Sequence, residues 1–253
     1  MSKLEKITVL TAAYNAEKTI KSAVESVLAQ TYTDWELIVV NDCSKDMTQA
    51  VVSENAAKDP RIKLINNETN LGVSLTRKKA LDVATGTWIA VLDSDDMWTP
   101  DKLEKQMRLA DDKNAELVFT GSAFMDNDGN PIDWLLHVPD TVSYRELLKQ
   151  NIISNSSVLV KRELYEKFYA IGDKMHEDFA MWLNITKAGY KACGLDEPLL
   201  IYRLAKSSKS SNKLKAAKMN WNTYRYVGLN PLTASYYMCW YTVKGLLKYR
   251  NLK

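Results

Sequence analysis

The chain of 253 residues is short of several things, and each shortage closes off a class of function. It has three cysteines, Cys43, Cys193 and Cys239, an odd number with no CxxC spacing. That argues against a disulfide framework and for reduced thiols in a cytoplasmic protein. Its two histidines, His137 and His176, lie too far apart in sequence for a helical zinc signature. His137 reads as structural, whereas His176 adjoins Glu177-Asp178 and is worth following into the fold. No apolar run approaches the ~20 residues of a membrane span. The opening "MSKLEKITVL" lacks the long apolar region and cleavage site of a signal peptide. No GxGxxG follows the first strand pattern, and neither GxxxxGK[ST] nor GxSxG occurs, which disfavours a dinucleotide site, a P-loop and a hydrolase elbow.

Acidic residues are missing from one region altogether. After Glu197 there is no Asp or Glu, while 11 of the 34 Lys and Arg lie from Arg203 onward. The net charge of +3 therefore divides into −8 for residues 1–202 and +11 for the rest. The same tail holds Trp221, Tyr224, Tyr226, Tyr236, Tyr237, Trp240, Tyr241 and Tyr249. Basic residues interleaved with Trp and Tyr suit an anionic membrane surface. The plainer alternative is a helical pair whose aromatics pack on the main domain. Nucleic acid is not an expected partner.

What is present is an alternation of strand and helix patterns. Strands are expected at 6–14, 35–42, 61–67, 87–93 and 115–126, all with continuous apolar runs. Between them come helices at 16–30, at 44–58, from Gly72 to a Gly86 cap, and one opened by Thr99-Pro100. Such a pattern implies a parallel sheet with helices on both faces, and ligands at the carboxyl ends of the strands. After residue 126 the pattern changes. "DNDGN" (126–130) reads as a hairpin turn, its glycine too early for an EF-hand. A short helix (143–150), a strand (155–162), a helix running to a Gly189 cap and a strand (197–203) follow. Residues 204–212 form a polar linker, and two helices near 213–227 and 232–248 break at Asn230-Pro231.

The chemistry collects where the strands end. Strand one ends in Ala13-Tyr14-Asn15, strand two in Asn41-Asp42, and strand four in "VLDSDDMW", with Asp93, Asp95 and Asp96 almost adjacent. Any one ending could be a helix cap. Three such endings on one sheet edge point further, because crowded carboxylates repel and are costly to desolvate. A hard divalent cation, Mg²⁺ or Mn²⁺, resolves that crowding with one or two carboxylates plus substrate phosphate and water.

The segments "VLTAAYNAEKTIKSAVESVLAQTYTDWELIVVNDCSKD", "NLGVSLTRKKALDVATGTWIAVLDSDD" and "HEDFAMWLNI", in this order and spacing, resemble the family 2 glycosyltransferases over residues 6–203. The resemblance implies an α/β GT-A fold, Rossmann-like with a mostly parallel sheet, plus a C-terminal helical extension. Residues 1–126 would form the nucleotide-sugar half, 127–203 the acceptor half, and 204–253 the linker and basic aromatic tail. It implies inverting transfer from a UDP-sugar, with glucose or galactose the guessed hexose. The acceptor would be an oligosaccharide or a lipid-linked sugar such as an undecaprenyl-diphosphate sugar. The setting would be bacterial O-antigen, capsule or teichuronic-type synthesis, at the inner face of the cell membrane.

By the same resemblance Ala13, Tyr14 and Glu17 line the uridine pocket and Asp42 accepts from the uracil. Arg77 lies near the base or the diphosphate. Asp93 faces the ribose or donor sugar, and Asp95 holds Mn²⁺ or Mg²⁺. Asp96 binds the metal or a neighbouring hydroxyl. Asp178, with Glu177 as second choice, is the catalytic base, the plain alternative being a helix cap. Many relatives carry a histidine after the "YR" strand; here the run is "YRLAKSSKSSN", leaving Arg203, Lys206 or Lys209 to supply the charge in a loop that closes, or a plain solvated linker. For the acceptor, Asn155, Ser156 and Ser157 offer polar contacts and Trp134, Trp182 and Tyr202 offer stacking faces, though buried aromatics are more often core. Lys206, Lys209, Lys213, Lys215 and Lys218 would suit a lipid diphosphate. The rivals are a metal-dependent nucleotidyl- or phosphotransferase, and a non-catalytic membrane-associated glycan-binding module.

Overall fold

The computed structural model describes residues 5–204 and 213–248. The first half follows the expected alternation: β1 (Ile7–Ala13), α1 (Ile20–Leu28), β2 (Trp35–Asn41), α2 (Thr48–Lys58), β3 (Ile62–Asn66), α3 (Val73–Asp82), β4 (Trp88–Val91), β5 (Met97–Trp98), α4 (Lys102–Lys113) and β6 (Leu117–Met125). The apolar runs exist because both faces of these strands are covered. Leu10, Ile38, Val40, Ile89 and Val91 pack into one core, and Ile7, Val9, Leu37, Val39, Trp88 and Ala90 into the other.

The second half is β7 (Pro131–Leu136), α5 (Tyr144–Lys149), a 3-10 turn (Asn155–Ser157), β8 (Leu159–Lys161), α6 (Arg162–Lys167), α7 (Glu177–Lys187) and β9 (Ala192–Arg203). Among the described residues the strands form one nine-stranded sheet, in the order β3-β2-β1-β4-β8-β6-β9-β5 with β7 beside β6. The sheet is mixed: β1, β2, β3 and β4 are parallel, but β8 runs antiparallel between β4 and β6. That insertion joins the two halves in one sheet and brings the Asn155–Ser157 turn to the end of β4.

Local expectations needed correction. Gly86 does not cap α3, which ends at Asp82. Gly86 is needed because its backbone runs against β1: a Cβ there would lie 2.6 Å from Lys6 O and Thr8 N. As expected, "DNDGN" is a hairpin turn, here joining β6 and β7, with Asp126 accepting from the backbone of Asp128 and Asn130, so its carboxylate is committed to the turn. The last strand starts at Ala192, not 197, and β5, β7 and α6 are additions.

The tail forms α8 (Lys213–Tyr226) and α9 (Pro231–Lys248). Its aromatics divide. Tyr224 is fully buried, donates to Leu148 O at 2.6 Å and meets Phe179 of α7 edge to face. Trp221, Tyr237 and Tyr241 pack on the same core, while Tyr226, Tyr236 and Trp240 remain exposed. Tyr249 and the 205–212 stretch, with Lys206 and Lys209, lie outside the described residues.

Candidate active site

Register brings the polar strand ends together. Ala13 pairs with Asn41, and Leu10 with Val91, so Tyr14, Asp42 and Asp93 follow at one sheet edge. After β1 and β2 the chain turns through left-handed residues, Asn15 (φ 49°) and Cys43 (φ 61°). The two turns are stitched to each other: Lys45 N donates to Asn15 Oδ1, and Asn15 N to Ser44 Oγ. Tyr14 is left exposed at a cavity of about 770 Å³ that is also lined by Ala13, Asp42, Arg77, Asp93, Asp95, Asp96, Glu177, Asp178 and Arg203. Glu17 is the exception. Its carboxylate accepts from Met47 N at the start of α2, and it is not among the lining residues. A free backbone N–H at a helix start outcompetes the cavity for that side chain.

Asp42 is buried and heavily engaged. Oδ1 accepts from Asn67 Nδ2 and Leu71 N, both at 2.8 Å, and Oδ2 from Gly72 N at 3.0 Å. Burial alone would raise its carboxyl, but the Leu71, Asn67 and Gly72 donors hold it below the ordinary aspartate value. Asp42 thus organises the 67–72 loop that forms one wall. Sequence reasoning missed this loop; its signal was Gly72, which adopts φ +82° and whose Cβ would lie 2.7 Å from Asp173 Oδ2.

The aspartates after β4 are strained electrostatically. Burial, then the charge of Asp93, pushes Asp95 up to about 6. Burial, then Asp95 and Asp93, raises Asp96 well above the ordinary range. Asp96 Oδ1 accepts from Arg203 N at 3.0 Å, whereas its buried Oδ2 has no hydrogen-bond partner among the described residues. Asp93 is held by Ser156 Oγ, which accepts from its backbone N, and by Asn155 Nδ2 at 3.3 Å. The cavity lining carries seven carboxylates against Arg77, Arg203 and Lys215. An orphaned carboxylate oxygen in an excess of negative charge fits a hard divalent cation. No set of three His, Cys, Asp or Glu among the described residues forms a cage for one. Such an ion would complete its shell with substrate phosphate and water.

Arg77 links this cluster to α7. It is buried, donates from Nη2 to Asp93 Oδ1 at 2.9 Å, and pairs through Nη1 with Glu177 Oε1 at 3.6 Å. Its charge is therefore met by side chains on both sides of the cavity. Asp178 lies in the first turn of α7, whose cap is His176, so Asp178 is not itself the cap residue. Burial, then the neighbouring charge of Glu177, pushes Asp178 up to about 7. That is near the value a general base needs at neutral pH. His176 also lines the cavity, and its backbone N donates to Thr223 Oγ1 of α8.

Several other assignments shift. The Arg203 guanidinium donates to the carbonyls of Asp95, Asp126 and Asn127, so it ties the aspartate loop to the β6–β7 turn. Trp182 is fully buried among core side chains and offers no face to a sugar. Ser156 and Ser157 are buried props; Asn155, Tyr202 and Lys215 do line the cavity. Trp134 stacks on Phe124 with centroids 4.4 Å apart, and Tyr202 packs on the same ring. His137 meets Asp196 on the surface.

The family model described as Glycosyl transferase family 2 matches residues 8–175. The chain belongs to that family. It is a glycosyltransferase with a GT-A-like fold. It is 40% identical over 221 residues, 87% of this chain and 88% of the relative, to the putative teichuronic acid biosynthesis glycosyltransferase TuaG of Bacillus subtilis. It is 36% identical over 244 residues, 96% of this chain and 94% of the relative, to the Escherichia coli UDP-Glc:alpha-D-GlcNAc-diphosphoundecaprenol beta-1,3-glucosyltransferase WfgD. The fold matches S. aureus TarS 1-349 in complex with UDP-GlcNAc at TM-score 0.73 and 19% identity, covering 92% of this chain and 70% of that one. It also matches the mannosyltransferase PcManGT of Pyrobaculum calidifontis, in complex with GDP-Man and Mn2+, at TM-score 0.71 and 20% identity, covering 94% of this chain and 70% of that one. At these identities the two structures speak for the fold.

Proposed function

We propose that this glycosyltransferase moves a hexose, by inversion, from a UDP-sugar to a saccharide acceptor carried on a lipid diphosphate, in the synthesis of a bacterial surface polysaccharide. One observation carries the reading: the crowded aspartates after β4 share a cavity with Asp178, whose carboxyl sits near neutral pH, and Arg77 spans the two sides. The near full-length similarity to WfgD supports a glucosyl donor and a lipid-diphosphate acceptor.

In this reading Ala13, Tyr14 and the loop fixed by Asp42 receive the uridine. Asp95, with Asp93 and Asp96, would hold Mn²⁺ or Mg²⁺. That ion would neutralise the charge growing on the leaving diphosphate. Asp178 takes the proton of the acceptor hydroxyl as its oxygen bonds to the anomeric carbon, and the bond from that carbon to the diphosphate oxygen breaks, releasing UDP. Glu177 is engaged by Arg77, so its part is to seat the arginine and raise its neighbour, while Asp178 handles the proton. Arg203 positions the aspartate loop instead of touching the donor. The acceptor would be met at the cytoplasmic face of the membrane.

The test is a UDP-release assay with a panel of UDP-sugars and a synthetic GlcNAc-diphosphate lipid, with mass analysis of the product. UDP release matched by one added hexose is the expected result. Transfer of a phosphoryl or nucleotidyl group would assign the site to phosphotransfer. Binding of the glycan lipid without turnover of any donor would assign a binding module.

A further inference from the structure

The helix α9 has two apolar faces. Ala234, Tyr237, Met238 and Tyr241 turn inward and pack against the core. Leu232, Tyr236, Trp240 and Val243 are 84%, 55%, 39% and 51% exposed. At about 100° per residue these four fall within an arc of roughly 80°, opposite the packed face. The exposed Cys239 falls beside the same arc. A helix docked by one face ordinarily turns a polar face to water. This one offers Leu, Tyr, Trp and Val in a row, on a segment with no acid after Glu197 and eleven basic residues from Arg203 onward. Lys149 of α5 reaches Trp240, its Nζ 5.6 Å from the ring centroid, which brings a cation from the main domain to the same edge.

We infer that the outer face of α9, formed by Leu232, Tyr236, Trp240 and Val243, is a membrane-contact surface that lies in the headgroup layer of an anionic bilayer. The inference deepens the lipid-linked-acceptor reading by giving the enzyme a defined side toward the membrane. Charge selects the occupant: a purely positive segment is complementary to anionic lipid. Residue type points the same way, since Trp and Tyr favour the boundary between acyl chains and headgroups. No helix among the described residues is long and apolar enough to cross a membrane, so α9 lies along the surface, held to the enzyme by its inner face.

The experiment uses the full chain and vesicles of phosphatidylcholine, with or without about one third phosphatidylglycerol, and neither donor nor acceptor. Failure of the transfer reading therefore leaves the measurement intact. Co-sedimentation should show binding only to the anionic vesicles, weakened by salt. A fluorophore on Cys239, in a Cys43→Ser background, should shift to the blue when they are added. Leu232→Ser with Trp240→Ser should lower the partition at least tenfold while leaving the melting temperature and the far-ultraviolet circular dichroism unchanged. Leu232→Ser with Val243→Ser, which spares the Lys149–Trp240 contact, should do the same. Equal binding by wild type and both variants would overturn the inference. So would a wild-type dimer that the substitutions convert to monomer without any loss of lipid binding, because the face would then belong to a second copy.

Discussion

Raising the pH through neutrality should switch this enzyme on, and Asp178 should be the group responsible. Burial and the adjacent Glu177 push its carboxyl up to about 7, against 3.8 for an ordinary aspartate. A base must be ionised to take a proton, so kcat at saturating donor and metal should climb with pH and level off above about 7. One pH unit below that value only about a tenth of the enzyme is competent, a tenfold loss. Asp178→Asn should lower kcat by about 10²–10⁴, the usual worth of a positioned base, and remove the rising limb. Arg77 opposes the rise in Asp178, so Arg77→Gln should move the limb to higher pH. The assay is initial-rate UDP release across the pH range, with UDP affinity measured in parallel by calorimetry to separate titration of the aspartate cluster from that of the base. A limb that survives in Asp178→Asn, or a greater loss of kcat in Glu177→Gln, would refute the assignment.

Three further outcomes follow from the geometry. Chelation of divalent ions should abolish transfer, and Asp95→Asn should raise the Mn²⁺ needed for half-maximal UDP binding by roughly tenfold or more, read by titration calorimetry. Gly72→Ala should cost about 1–2 kcal/mol of stability, because φ +82° is strained for any residue with a Cβ, and should weaken UDP binding by disturbing the loop that Asp42 holds. Adding Asp173→Ala should not restore it, since the strain is in the backbone. Lys102 is fully buried against Trp98, and burial lowers its ammonium well below the ordinary lysine range. At this position the unfolded chain binds more protons than the folded one between that lowered folded value and about pH 10, so the contribution of Lys102 to stability should rise with pH over that window. Urea midpoints should show Lys102→Met gaining less than wild type between pH 7 and 10.

The sheet and the heart of the cavity were legible because two periodic signals agree there. Continuous apolar runs mark strands covered on both faces, and their polar endings fall at one edge once β1, β2 and β4 are neighbours. Asp42, Asp93, Asp95, Asp96 and Asp178 reach one cavity for that reason. Strand direction carries no local signature, so the antiparallel β8 had to come from the structure. Polar side chains near an edge were the harder case, because backbone groups compete for them. Glu17 goes to a helix start, Arg203 to three carbonyls, and Ser156 to the backbone of Asp93. The tail was legible in composition but not in orientation. Tyr236 and Tyr237 are neighbours on α9 that differ in which side of the helix they occupy, and the first is exposed while the second packs on the core.

In the proposed reading, charge is the reason a diphosphate donor would need a cation that the chain itself does not supply. A diphosphate entering this cavity would meet Asp93, Asp95 and Asp96, while the nearby arginines are engaged: Arg77 is paired with Asp93 and Glu177, and Arg203 donates to backbone carbonyls. Like charges in a partly dry site repel strongly. Protonation relieves that repulsion at low pH, and the raised Asp95 and Asp96 carboxyls record the tendency. At neutral pH a divalent cation held by these carboxylates would supply the same relief. In the proposed mechanism Asp178, raised by burial and by Glu177 too, would instead accept a proton. Similar crowding would thus serve two ends in one cavity, according to which carboxylates face the phosphates and which faces the hydroxyl.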